Sequence, residues 1–201
     1  MFKKTLIIAL FSIFASFLNA QTVQNTLEAV SLAYSNEINS SFTYAQYSMF
    51  SKNTRVAALF KVISDSKSLH ANMLYNTAFQ LKITDKILKS KVQEPSKSSD
   101  LDNLKNAVSI SSYEYGKMYP ALLKVVNREK QKEMASVMSQ ISKMEKSNYS
   151  LLNKAMNNLK NDKPLTEKYY LCENCGYVVA GKAPSKCSIC GKSQNAFNEY
   201  K

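Results

Sequence analysis

Two C-x-x-C-G pairs near the C-terminus constrain this chain more tightly than any other feature. Cys172-Glu173-Asn174-Cys175-Gly176 and Cys187-Ser188-Ile189-Cys190-Gly191 hold all four cysteines of the 201 residues, and eleven residues separate the pairs. Two residues between thiolates let one tight turn aim both sulfurs at one ion, and the glycine after each pair permits the left-handed backbone such a turn needs. Three of the four glycines, Gly176, Gly181 and Gly191, fall in this stretch. Two such turns place four sulfurs at the corners of a tetrahedron, a geometry suited to zinc or iron. Cys172, Cys175, Cys187 and Cys190 are therefore expected to hold one metal, and the competing expectation is a pair of disulfides.

The disulfide alternative has force because the chain starts like an exported protein. Lys3 and Lys4 give a charged beginning, Leu6 to Phe17 is nearly all apolar, and Leu18-Asn19-Ala20 ends in a small residue. The apolar run is short for a bilayer, so residues 1–20 read as a signal peptide cut after Ala20, leaving no membrane span. The mature chain then begins at Gln21 and works in the periplasm or outside the cell, where disulfides form. No cysteine follows the cut and no twin arginine precedes it. The chain is thus expected to cross unfolded and take up metal outside the cytoplasm.

Loss of Lys3 and Lys4 lowers the formal charge from +12 to +10. Nearly all the basic residues are lysines spread along helical segments, without the interleaved aromatics of a nucleic-acid groove, so a solvated basic surface is expected and no nucleic acid. From Val23 to Asn161 the only glycine is Gly116 and the only prolines are Pro95 and Pro120. Four segments there carry helical periodicity. The first runs through Leu27, Val30, Tyr34, Ser41 and Ala45, the second through Leu59, Phe60, Ile63, Leu74 and Ala78. The third runs through Leu104, Ala107 and Met118, the fourth through Met134, Met138, Ile141, Leu152 and Ala155. Asn53-Thr54 breaks the first two apart, and polar, lysine-rich 82–99 forms a long connection. An all-α, ferritin-like four-helix bundle over 21–163 is expected, then a small four-cysteine metal domain over 167–201.

Seven polar residues interrupt the apolar stripes: Glu37, Lys67, His70, Ser111, Glu114, Glu145 and Asn148. Residues three and four apart share a helix face, so these side chains should converge inside the bundle. Burying unpaired carboxylates is costly, and Glu and His meeting from facing helices is how carboxylate-bridged metal sites are built.

These residues also carry a family resemblance. Tyr170-x-Cys-x-x-Cys-Gly-Tyr, Gly181, Pro184, Cys-x-x-Cys-Gly and Phe197 resemble the rubredoxin-like tail of rubrerythrins, with Ser188 where a proline is common. Ser112-Tyr113-Glu114-Tyr115-Gly116-Lys117-Met118-Tyr119-Pro120 resembles that family's third helix, and Ala57-Ala58-Leu59-Phe60 with His70-Ala71 its second. The resemblance implies iron in the tail (zinc remaining possible), peroxide reduction at a di-iron site in the bundle, and a homodimer in which one subunit's tail approaches its partner's bundle. It implies ligands at Glu37, His70, Glu114 and Glu145. Three further family ligands are Lys67, Ser111 and Asn148 here, so at most one metal is expected in the bundle.

With His70 neutral, three carboxylates and the Lys67 ammonium sum to −2, which one divalent ion would cancel. A metal-free ion-pair cluster carrying an extra proton is the alternative. Two readings of function follow. One is an exported rubrerythrin-like iron protein that carries electrons through its tail, with peroxide reduction weak or lost. The other is a metal-stabilised structural or interaction protein, and iron storage is a weaker third. The redox partner is unknown from sequence.

Overall fold

The computed structural model describes residues 23–84, 95 and 98–201. The expected signal peptide and most of the 82–99 connection lie outside the described residues. Polar caps set the helix starts. The Asn25 side chain accepts from the Glu28 amide and opens α1 (Thr26–Phe50); Asn53 accepts from the Arg55 and Val56 amides and opens α2 (Thr54–Gln80). Ser99 does the same for Asp102 at the head of α3 (Asp100–Tyr113). Each cap satisfies amides that lack a partner in the first turn, worth about 1 kcal/mol.

The third bundle helix is one path in three pieces. Pro120 has no amide hydrogen to give Gly116, and its ring would crowd that carbonyl. The chain widens there into a π turn over Glu114–Met118, with the Tyr119 amide reaching Glu114 O, and continues as α4 (Tyr119–Arg128). α5 (Lys132–Lys160) completes the bundle. The tail is a three-stranded antiparallel sheet of β1 (Tyr169–Cys172), β2 (Val178–Ala180) and β3 (Phe197–Tyr200), with β1 central: Tyr170 faces Val179 on one side and Glu199 on the other.

On α1 the buried face differs from the expected stripe. Val30 and Glu37 are buried, but Leu27, Tyr34, Ser41 and Ala45 are only partly so, and Ala29, Ala33, Ser40, Tyr44 and Tyr47 face inward instead. Small residues at 29 and 33 share one apolar cluster with Leu74 and Ala78 of α2, Ser40 turns to Glu114, and Tyr34 sits at the rim with its ring 6.0 Å from that of Tyr75. Size alone had pointed to the rim.

The tail is built into the bundle's own core. Cys172, Cys175 and Cys187 belong to one apolar cluster with Leu74, Met118, Met138, Ile141 and Met144, and Tyr169, Leu171 and Val178 to a second with Leu59, Phe60 and Leu152. Hydrogen bonds pin the same surface: Ser66 Oγ donates to Gly176 O at 2.6 Å, Ser147 Oγ to Val178 O at 3.3 Å, and Tyr200 OH to Asp65 at 2.7 Å. Within the chain, the tail thus approaches the bundle closely. Among the described residues, no helix is long and apolar enough to cross a membrane.

Candidate metal centres

The two cysteine turns face each other. Gly176 and Gly191 take the left-handed backbone, with φ of 86° and 76°, and close the turns through Gly176 N to Cys172 O and Gly191 N to Cys187 O. Cys172 Sγ lies 3.7 Å from Cys190 Sγ, and Cys175 Sγ lies 3.7 Å from Cys187 Sγ. A disulfide needs about 2 Å, and all four cysteines are free. Metal–sulfur bonds of about 2.3 Å at tetrahedral angles put neighbouring sulfurs about 3.8 Å apart, so the residues present fit a single four-thiolate metal. Three of the sulfurs are buried and Cys190 is partly exposed.

The seven polar residues of the stripes are all fully buried, and they meet as the periodicity requires. Lys67 Nζ, from α2, lies 2.6 Å from Glu114 Oε2, 2.8 Å from Glu145 Oε2 and 3.4 Å from Glu37 Oε2. His70, one turn along α2, sets Nδ1 2.9 Å from Glu145 Oε1 and 3.4 Å from Glu37 Oε2, while its Nε2 faces Ser66 Oγ at 3.3 Å. Glu114 is also held by Asn36 Nδ2 at 2.6 Å and Ser40 Oγ at 3.1 Å, and Glu37 Oε1 accepts from Tyr119 OH at 2.5 Å. Glu37, His70 and Glu145 can each aim one atom at a common ion; Glu114 falls outside that group.

Electrostatics follow from the packing. Burial opposes the charge on Lys67, but Glu114, Glu145 and Glu37 outweigh it and hold the ammonium well above its ordinary pKa. Burial likewise pulls His70 down, and its bonds to Glu145 and Glu37 more than reverse this, to about 9. Burial pushes Glu114 up to about 7 despite Lys67. The carboxylates thus face two protein cations, the Lys67 ammonium and the His70 imidazolium.

A pair of irons does not fit these residues. Lys67 fills the space among the carboxylates with a positive charge, and Ser111 and Asn148 contribute neutral groups. Ser111 Oγ, beside the Tyr44 hydroxyl, and both polar atoms of Asn148 complete no hydrogen bond of good geometry. What remains for a metal is the corner formed by Glu37, His70 and Glu145.

Asn36, Ser40, Ser66 and Tyr119 were missed by the periodicity. Asn36 and Ser40 are polar residues beside Glu37 on α1, a pairing the sequence does display. Tyr119, which follows the π turn, reaches Glu37 from a position that the expected stripe did not include.

The fold and the tail together define a class: a ferritin-like bundle joined to a rubredoxin-like four-cysteine site. A family model for rubrerythrin matches residues 28–156, and one for the rubrerythrin rubredoxin-like domain matches 170–198. The chain belongs to the rubrerythrin family, and its four-cysteine tail site is of the kind that suits iron. It is 27% identical to nigerythrin of Nitratidesulfovibrio vulgaris, over 89% of this chain and 88% of that protein. It is also 27% identical to a putative rubrerythrin of Methanocaldococcus jannaschii, over 87% and 92%. A fully reduced, all-ferrous nigerythrin superposes with a TM-score of 0.79 at 25% identity, covering 89% of this chain and 88% of that one.

Proposed function

We propose that this protein is an exported one-electron carrier whose single working redox centre is the iron held by Cys172, Cys175, Cys187 and Cys190. Iron bound by four thiolates alternates between ferric and ferrous, exchanging one electron at a time. The chain's residues supply the rest. The cysteine turns fix the sulfurs, the bundle buries three of them, and Cys190 stays open enough for a redox partner to approach. Reduction of peroxide takes two electrons, and the observation that supports its being weak or lost is Lys67, whose ammonium contacts all three glutamates of the bundle pocket. Peroxide reduction is therefore weak or lost. Assembly as a homodimer, common in the family, and export through residues 1–20 are parts of the same proposal.

Peroxide consumption tests it, with a reductant that keeps the tail iron ferrous. The expected turnover is far below that of a rubrerythrin with a complete ligand set, and indifferent to His70→Ala. Fast turnover abolished by His70→Ala would contradict the proposal.

One observation favours a second reading, a metal-stabilised structural protein. Three of the four cysteines are part of the bundle's apolar core, so a redox-silent zinc there would serve equally to hold the tail in place. Colour separates the two, since ferric iron on four thiolates is red and zinc there is colourless.

A further inference from the structure

A metal in a helical bundle does two jobs at once: it ties the helices together and it cancels their buried acids. In this chain Lys67 does both. We propose that the bundle pocket is a metal-free ion cluster, with the Lys67 ammonium in the place of a metal, so that the bundle folds without metal and only the tail requires one.

The connectivity carries the proposal. Lys67 projects from α2, and its three carboxylate partners come from the other three helices of the bundle: Glu37 from α1, Glu114 from the π turn and Glu145 from α5. One buried cation thus joins all four helices, as a bridging ion would. Each carboxylate also has a second protein donor that a bound ion would have to displace or share. Tyr119 OH holds Glu37, Asn36 and Ser40 hold Glu114, and the His70 imidazole holds Glu145.

The remaining corner of Glu37, His70 and Glu145 is crowded by the same ammonium. Nζ lies 3.4 Å from Glu37 Oε2, the very oxygen that faces His70 Nδ1, and 2.8 Å from the second oxygen of Glu145. A divalent ion bound there would sit against a buried like charge in a medium that screens poorly. Across the pocket, Ser111 and Asn148 offer no charge to draw the ion elsewhere. This holds whether or not the tail carries electrons. For a chain that meets its metal only after export, the bundle need not wait for it.

The test uses the full mature chain with its tail loaded, melted by far-ultraviolet circular dichroism with and without millimolar manganous ion, an oxygen-seeking probe. Wild type is expected to melt at the same temperature in both. Lys67→Met is expected to melt lower without metal and to recover with manganese, because removing the ammonium leaves three carboxylates and His70 for the ion to bind. A Lys67→Met chain that folds only when manganese is present supports the proposal equally. Wild-type protein stabilised by manganese would overturn it. So would a Lys67→Met chain that melts like wild type and ignores the ion, and the wild-type arm decides even if Lys67→Met never folds.

Discussion

Gly176 lies flat against His70: a β-carbon built at position 176 would stand 2.9 Å from the imidazole Nε2 and Cδ2 and 3.0 Å from Ser66 O. The first cysteine turn is thereby joined to the bundle pocket by backbone contact, with the Gly176 carbonyl accepting from Ser66 Oγ. Gly176 also holds a φ of 86°, which other residues adopt at a cost. Gly176→Ala should lift the tail from the bundle and destabilise it by about 1–3 kcal/mol. Protease cutting within 161–168 should rise, and the tail's metal should become easier to strip with a chelator. Unchanged protection would mean that the contact is incidental.

The pocket should also make stability depend on pH in a defined direction. In the metal-free bundle burial lowers the pKa of His70 but its bonds to Glu145 and Glu37 outweigh this and raise it from 6.5 to about 9, while burial lifts Glu114 from 4.5 to about 7. A pKa raised on folding stabilises fully below the unfolded value and loses that contribution as pH rises through the folded one. The Glu114 contribution therefore fades between about pH 4.5 and 7, and that of His70 between about 6.5 and 9. Each is worth about 3 kcal/mol at most. Melting temperature should fall steadily from pH 5 to 9, and His70→Gln should flatten the upper half of that slope. A melting temperature that rises over this range would contradict the assignment.

Much of this was legible in the sequence because it rests on spacing. The cysteine turns fix their own geometry, and seven polar residues at three- and four-residue intervals had to converge once the helices formed. What the spacing could not convey was which acids pair with Lys67 and which with His70, since that depends on helix rotation and depth. The α1 face slipped for the same reason: the small residues Ala29, Ala33 and Ser40 are buried, whereas periodicity favours large apolar residues such as Leu27 and Tyr34. Nor did the sequence reveal that the tail shares the bundle's core, because contacts between Gly176 and His70 join residues far apart in the chain.

Reversing the charge at Lys67 should be severe. Lys67→Glu places a fourth carboxylate in the pocket and shifts its charge by two, a loss of several kcal/mol for uncompensated buried charge. Adding Ser111→Glu and Asn148→His restores the ligand set that the family resemblance implies. The triple variant should bind ferrous or manganous ion and regain stability that Lys67→Glu alone recovers only in part. Calorimetry with and without metal reads both, and a triple variant indifferent to metal would show that the pocket has lost more than its ligands.

The start of the mature chain is a separate matter, settled by N-terminal sequencing of the native protein. Gln21 is expected at the first position, with the protein recovered from the periplasm or medium. A chain that keeps residues 1–20 and stays with the membrane would remove the basis for export.

The most direct measurement is a Mössbauer spectrum of the native protein enriched with the iron-57 isotope. One high-spin iron in a tetrahedral sulfur environment, ferric as isolated and wholly ferrous after a one-electron reductant, is the predicted result. A second iron signal with oxygen and nitrogen ligation, above all one coupled to a neighbour, would place metal in the bundle where Lys67 is said to stand, and would contradict it.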